Sequence, residues 1–173
     1  MSTDETIGEP GAERALLGCL LHLRAPAAHE VAYQLKPEDF SQPHLRVILE
    51  AIRTLALDQV DPDPVVVLGE LRRTGAAASF AGYLGPGPVL QELFATPPSV
   101  GSVGHHLRIV LEHSWRRQVQ EAGTRFLQAS GASALADLDQ VVASECVALR
   151  NWPRRWRDKQ GPPAAVPLRQ VAS

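Results

Sequence analysis

The chain has 173 residues, 45% of them hydrophobic and 21% charged, with a formal net charge of -2. This length suits one domain with an appendage, and the composition is that of an ordinary soluble globular protein, which excludes disorder throughout. A balance so near neutrality gives no general attraction to a polyanion. The charge is nevertheless uneven: residues 150–159 hold Arg150, Arg154, Arg155, Arg157 and Lys159 against Asp158, a local +4 that leaves -6 for the rest.

The first ten residues, MSTDETIGEP, carry acids where a secretory leader would carry lysine or arginine, and no apolar run approaches the roughly 20 residues that span a bilayer. A flexible start over residues 1–10 and a cytoplasmic protein with no membrane partner are expected. Apolar residues then recur at helical spacing, as in Leu16, Leu17, Leu20 and Leu21, or Leu45, Ile48, Leu49, Ile52 and Leu55. The spacing predicts helices over about 11–24, 27–35, 42–57, 64–73 and 88–95. The run Val65, Val66, Val67, Leu68 is β-branched, but Asp63 before it, Pro64 at the first helical position and Gly75 beyond its end frame it as helical.

From Val103 to about Ala129 one long periodic segment follows, with Leu107, Val110, Leu111, Ser114, Val119, Ala122, Phe126 and Ala129 at three-or-four spacing. After Gly131 a second runs over about 134–150, with Leu135, Leu138, Val141, Val142, Cys146 and Leu149 as its stripe. Two long helices joined by a short loop fold back antiparallel. The expected architecture is therefore all-α: a small bundle over 11–99, a long antiparallel helical hairpin over 103–150, and a C-terminal Pro/Arg-rich tail over 151–173.

Chemistry is sparse. Nothing resembles the GxxxxGK[ST] loop that cradles phosphate, and Pro86 and Pro88 remove two backbone donors from the glycine-rich stretch at 82–88, which reads as a turn. His106 and His113 lie seven residues apart without acidic or cysteine partners at ligand spacing, so a surface or interface role outweighs a metal role. The neighbours Glu38 and Asp39, and the pair Asp61 and Asp63, read as turn and capping residues rather than acid/base pairs. Cys19 and Cys146 are distant and set among aliphatic residues, which suggests buried free thiols. No catalytic, cofactor-binding or metal residues are assigned. The one basic and aromatic cluster is at the end, where Trp152 and Trp156 stand among Arg150, Arg154, Arg155 and Arg157. Such a segment suits a solvated linker, an acidic protein groove, or single-stranded nucleic acid held through phosphates and base stacking.

Read in order, "AERALLGCLL" (12–21), "LKPEDF" (35–40), "HLRVILEAI" (44–52), "DPDPVVVLGELRRTG" (61–75), "TPPS" (96–99) and "LRIVLEHSWRR" (107–117) resemble the N-terminal domain family of the bacterial replicative helicase DnaB, over about residues 11–150. The sequence departs from that pattern where Leu45 separates His44 from Arg46, where Ala81 and Gly82 precede Tyr83 and Leu84, and where His106 takes an aromatic position. The resemblance implies a helical bundle followed by a hairpin that pairs subunits, so a homo-oligomer, dimer or higher, is expected. Leu107, Val110, Leu111, Val119 and Phe126 would form its pairing face. It also implies replicative helicase or primase as partners, and it places the ATPase motor beyond the end of this sequence. A non-catalytic replication module that binds proteins is the expectation; a single-stranded nucleic-acid-binding accessory protein acting through the basic tail is the alternative.

Overall fold

The computed structural model describes residues 9–95, 99–132 and 135–157, and among these it contains seven α-helices and no strand. They are α1 (Glu9–Leu21), α2 (Ala25–Ala32), α3 (Pro43–Leu57), α4 (Pro64–Arg73), α5 (Pro86–Ala95), α6 (Val103–Ala132) and α7 (Leu135–Arg157). Short 3-10 turns occupy Pro37–Asp39, Ala76–Phe80 and Val100–Ser102. The chain divides within α6 into two compact units, one up to Val110 and another from Leu111.

In the first unit α1 is buried nearly all round, with Leu16, Leu17, Cys19, Leu20 and Leu21 wholly inaccessible. A helix apolar on every side belongs at the centre of a bundle. It packs on α3 and α5, while α3 also packs on α2 and α4. The stripe read from sequence in α3, Leu45, Ile48, Leu49, Ile52 and Leu55, is the buried one. Each such side chain contributes about 1.5–3 kcal/mol of burial.

Prolines set where helices begin. Pro26, Pro43 and Pro64 each fall at the first or second helical position, where the missing N–H has no intrahelical partner to lose. The same reason corrects the predicted start of the fifth helix, which begins at Pro86 rather than residue 88. Gly75 takes the left-handed conformation, φ 72°, just past α4, as its place after Thr74 predicts. The 3-10 turn over Ala76–Phe80 was not predicted; its buried Phe80 fastens the stretch.

In the second unit the later part of α6 and the whole of α7 form the hairpin. Arg125 of α6 reaches Glu145 of α7 through Nε (2.5 Å) and a terminal nitrogen (2.9 Å). These residues lie nearly symmetrically about residues 133 and 134, as an antiparallel pairing requires. The helix does not stop at residue 150, where the basic tail was predicted to begin, but continues through Pro153 to Arg157. Arginine propagates a helix well, which offsets part of the cost of about 3 kcal/mol that an internal proline carries. Of the predicted tail, residues 158–173 lie outside the described ones, as do residues 1–8 at the other end and most of the TPPS turn.

Candidate functional site

The polar residues within the recognisable motifs hold the backbone in place. Glu13, buried in α1, accepts from the backbone N–H of Ser41 (2.7 Å) and from its hydroxyl (3.0 Å). Arg46, one turn into α3, donates from Nε to the Phe40 carbonyl at 2.7 Å. Together they clamp the turn that delivers the chain into α3. Burial pushes the Glu13 carboxyl up, and the hydrogen bonds from Ser41 and Gln42 oppose that rise. Asp39 accepts from the Lys36 N–H at 2.7 Å and Asp63 caps α4 through the N–H groups of Val65 and Val66, so the capping readings hold. Asp61 does something sequence spacing does not reveal: it accepts from the N–H of Ala25 at 2.8 Å and caps α2 from another part of the chain.

Two histidines, His44 and His106, are buried, which for His106 corrects the surface or interface role expected from sequence. His44 is wedged between Tyr83 (ring centroids 4.1 Å apart) and Phe80 (5.8 Å), and its Nε2 is buried without a hydrogen-bond partner. His106 has neither ring nitrogen satisfied. Burial lowers both side chains below the usual imidazole range, assisted by Arg14 at His44 and by His105 at His106. An aliphatic stripe on the neighbouring turns carries each histidine inward, and periodicity alone would have shown this. His22 is half-buried and stacks on Phe94 at 4.0 Å, with Nε2 2.9 Å from the Phe94 carbonyl.

No group of three His, Cys, Asp or Glu side chains among the described residues could hold a metal. Burial pushes the Cys19 thiol up to about 11, so it is not an activated nucleophile. Cys146, expected to be buried, is exposed.

Two surfaces stand out. The first is a cleft of about 570 Å³ between α2, α3 and α4, lined by His29, Tyr33, Val47, Glu50, Arg53, Leu57 and Glu70 among others. Tyr33, 71% exposed, stands at its edge beside His29, their rings 5.6 Å apart. Arg73 grips Glu70 with two bonds of 2.8 and 2.7 Å and holds its carboxyl below the usual range. The cleft went unpredicted because its residues come from separate helices and meet only when these are assembled.

The second surface is the hairpin. Leu107, Val110 and Leu111 are buried within the single chain. Val119 is exposed and Phe126 is half-buried, so of the five predicted pairing residues these two remain accessible. Leu127 (77% exposed), Val142 and Val147 add further apolar area there. Of the tail candidates, Arg150 is exposed; Trp152, Arg154, Arg155, Trp156 and Arg157 lie on the helical backbone of α7, their side chains outside the described ones.

A small helical bundle whose sixth helix extends into a two-helix hairpin defines the class: an all-α bundle domain with an appended hairpin. The model of the DnaB-like helicase N terminal domain family matches residues 8–112, and the chain belongs to that family. It is 34% identical over 132 residues, 76% of its length, to the replicative DNA helicase DnaB of Mycobacterium leprae (strain TN), and 29% identical over 117 residues, 68% of its length, to that of Leifsonia xyli subsp. xyli (strain CTCB07). The matched stretches are 21% and 24% of those relatives, so the chain spans about a quarter or less of their length. The crystal structure of the N-terminal domain of DnaB helicase from Mycobacterium tuberculosis superposes with a TM-score of 0.67 at 31% identity, covering 81% of this chain and 94% of that one.

Proposed function

We propose that this chain acts in DNA replication as a non-catalytic interaction module, associating with copies of itself and docking the replicative helicase or primase. The observation that carries this reading is the apolar surface of the hairpin. Val119, Leu127, Val142 and Val147 are exposed on a two-helix element, and exposed apolar area of this kind is commonly covered by a partner. Family membership supplies the replication context, and the proposed partners are those of the family's helicases. Since the 173 residues hold no P-loop, no nucleotide hydrolysis is assigned to them. The proposal places the module in the cytoplasm; no helix among the described residues is long and apolar enough to cross a membrane.

Light scattering on the purified chain tests self-association. A dimer or larger species is expected, reduced to monomer by Val119→Asp with Leu127→Asp. Affinity capture with the purified helicase and primase tests docking. A monomeric chain that retains neither protein overturns the proposal.

A further inference from the structure

His44 follows Pro43 in the first turn of α3 and is 2% exposed, with Nε2 buried and unpartnered. Two rings cover it. Phe80 is itself buried, but Tyr83, whose ring centroid is 4.1 Å from the imidazole, is 46% exposed. The turn that carries Tyr83 has a hinge at each end: Gly82 and Gly85 hold φ of 90° and 95°, and glycine passes between conformations that other residues cannot reach. Between them Leu84, 92% exposed, gives the turn no anchor in the core. The charges around His44 do not favour a proton on it. From α1 comes Arg14, bound to Glu92 of α5 at 2.7 Å, while Glu13 is engaged by Ser41. On α3 itself, Arg46 is turned to the Phe40 and Ser41 carbonyls, and the helix start adds partial positive charge. Burial and Arg14 both hold the imidazole below its usual range. A proton taken up there needs water, and water reaches the ring when Tyr83 moves aside.

We propose that the turn from Gly82 to Gly85 is a lid over His44, closed on the neutral imidazole and opened by its protonation. The closed lid leaves Nε2 without a hydrogen bond, and opening supplies one from water, which offsets part of the lost ring contact. The closed state holds the neutral form and the open state accepts the charged one. Falling pH therefore drives opening, in a window below the ordinary imidazole value of about 6.5. Opening lifts Tyr83 away, uncovers Phe80 and displaces Leu84, so the apolar surface of this corner of the bundle depends on pH. This proposal does not depend on the hairpin associating with a partner.

The test uses the full chain labelled with fluorotyrosine, which has two reporters, Tyr33 and Tyr83, assigned with Tyr33→Phe. Fluorine line broadening by a neutral gadolinium chelate reads the exposure of each ring between about pH 7.5 and about pH 5, on either side of the imidazole range. Circular dichroism follows helicity over the same range. The accessibility of Tyr83 is expected to roughly double on acidification, from 46% towards full exposure, with helicity unchanged. His44→Phe fills the same space without a titrating nitrogen and keeps Tyr83 covered at the acid end. Gly82→Ala leaves His44 intact, and its methyl meets nothing within 4 Å. A φ of 90° nevertheless strains any residue with a Cβ, so the closed turn is weakened and opening shifts to higher pH. A Tyr83 ring that stays covered throughout, or a transition that persists in His44→Phe, overturns the lid. A midpoint unmoved by Gly82→Ala overturns the hinge, and exposure that rises only as helicity is lost is unfolding of the bundle and overturns both.

Discussion

Arg125 and Glu145 join the two helices of the hairpin by paired hydrogen bonds of 2.5 and 2.9 Å across 20 residues of sequence. The arginine also lies 3.8 Å from Glu121 on its own helix. Because the pair sits where the two helices face each other, it fixes their register as well as their attraction. Arg125→Glu is expected to place three carboxylates together and lower the helicity of the second unit, read by circular dichroism. Combining it with Glu145→Arg should restore most of the loss, and raising the salt concentration should weaken the wild-type pair. A double variant no better than the single one would show that the helices are held without this contact.

His106 offers a gain in stability. Both its nitrogens are buried without partners, and an unsatisfied buried polar group costs about 1–3 kcal/mol. His106→Phe, which replaces the unsatisfied nitrogens by an apolar ring, is expected to stabilise the protein by about 1 kcal/mol and raise the melting temperature by about 2–4 °C. The acid side should change too. Burial depresses the folded-state pKa of His44 and His106, so the unfolded chain takes up protons first as the pH falls. Their contribution is fully present above the ordinary imidazole value of about 6.5 and is lost as the pH drops through the lower folded-state values. Thermal denaturation between neutral pH and pH 5 should show a shallower decline in the His106→Phe protein.

Asp61 holds the start of α2 twice, through the Ala25 N–H at 2.8 Å and through Arg24 at 3.6 Å. Replacing it by alanine removes the cap of α2 and is expected to cost about 0.5–2 kcal/mol. Urea titration measures this. Asp61→Asn, which keeps an acceptor oxygen, should recover more than half.

The two cysteines should separate cleanly in a thiol assay. Cys146 is exposed, while Cys19 is buried and its thiol is pushed up to about 11. One thiol per native chain should react rapidly with a disulfide reagent, and Cys146→Ser should abolish that fast phase. Two fast thiols would mean that α1 opens readily.

The bundle was largely legible in the sequence because local chemistry marks its helices: Asp63 and Pro64 open α4, Gly75 closes it, and the α3 stripe has a clear period. What escaped notice depends on contacts between distant segments. Nothing near Ala25 announces that Asp61 will cap it, and the cleft edged by Tyr33 exists only once α2, α3 and α4 are assembled. The accessibility of the predicted pairing residues was not legible. Periodicity identified Leu107, Val110 and Leu111 as a stripe without distinguishing burial inside the chain from burial against another. The end of α7 was misjudged because the proline- and arginine-rich composition beyond Arg150 was read as a tail, although the helix continues through Pro153 to Arg157.

The capping of α2 by Asp61 also bears on the order of folding. An isolated helix of eight residues such as α2 is too short to persist in water, where about 12–15 are needed. Its first turn is completed by a carboxylate 36 residues further along, so the cap arrives only after the intervening loop has closed and α3 has formed. The contact therefore belongs to the late, consolidating stage, and losing it should quicken unfolding far more than it slows refolding. A bond at the start of the second helix thus acts as a kinetic latch on the bundle as a whole.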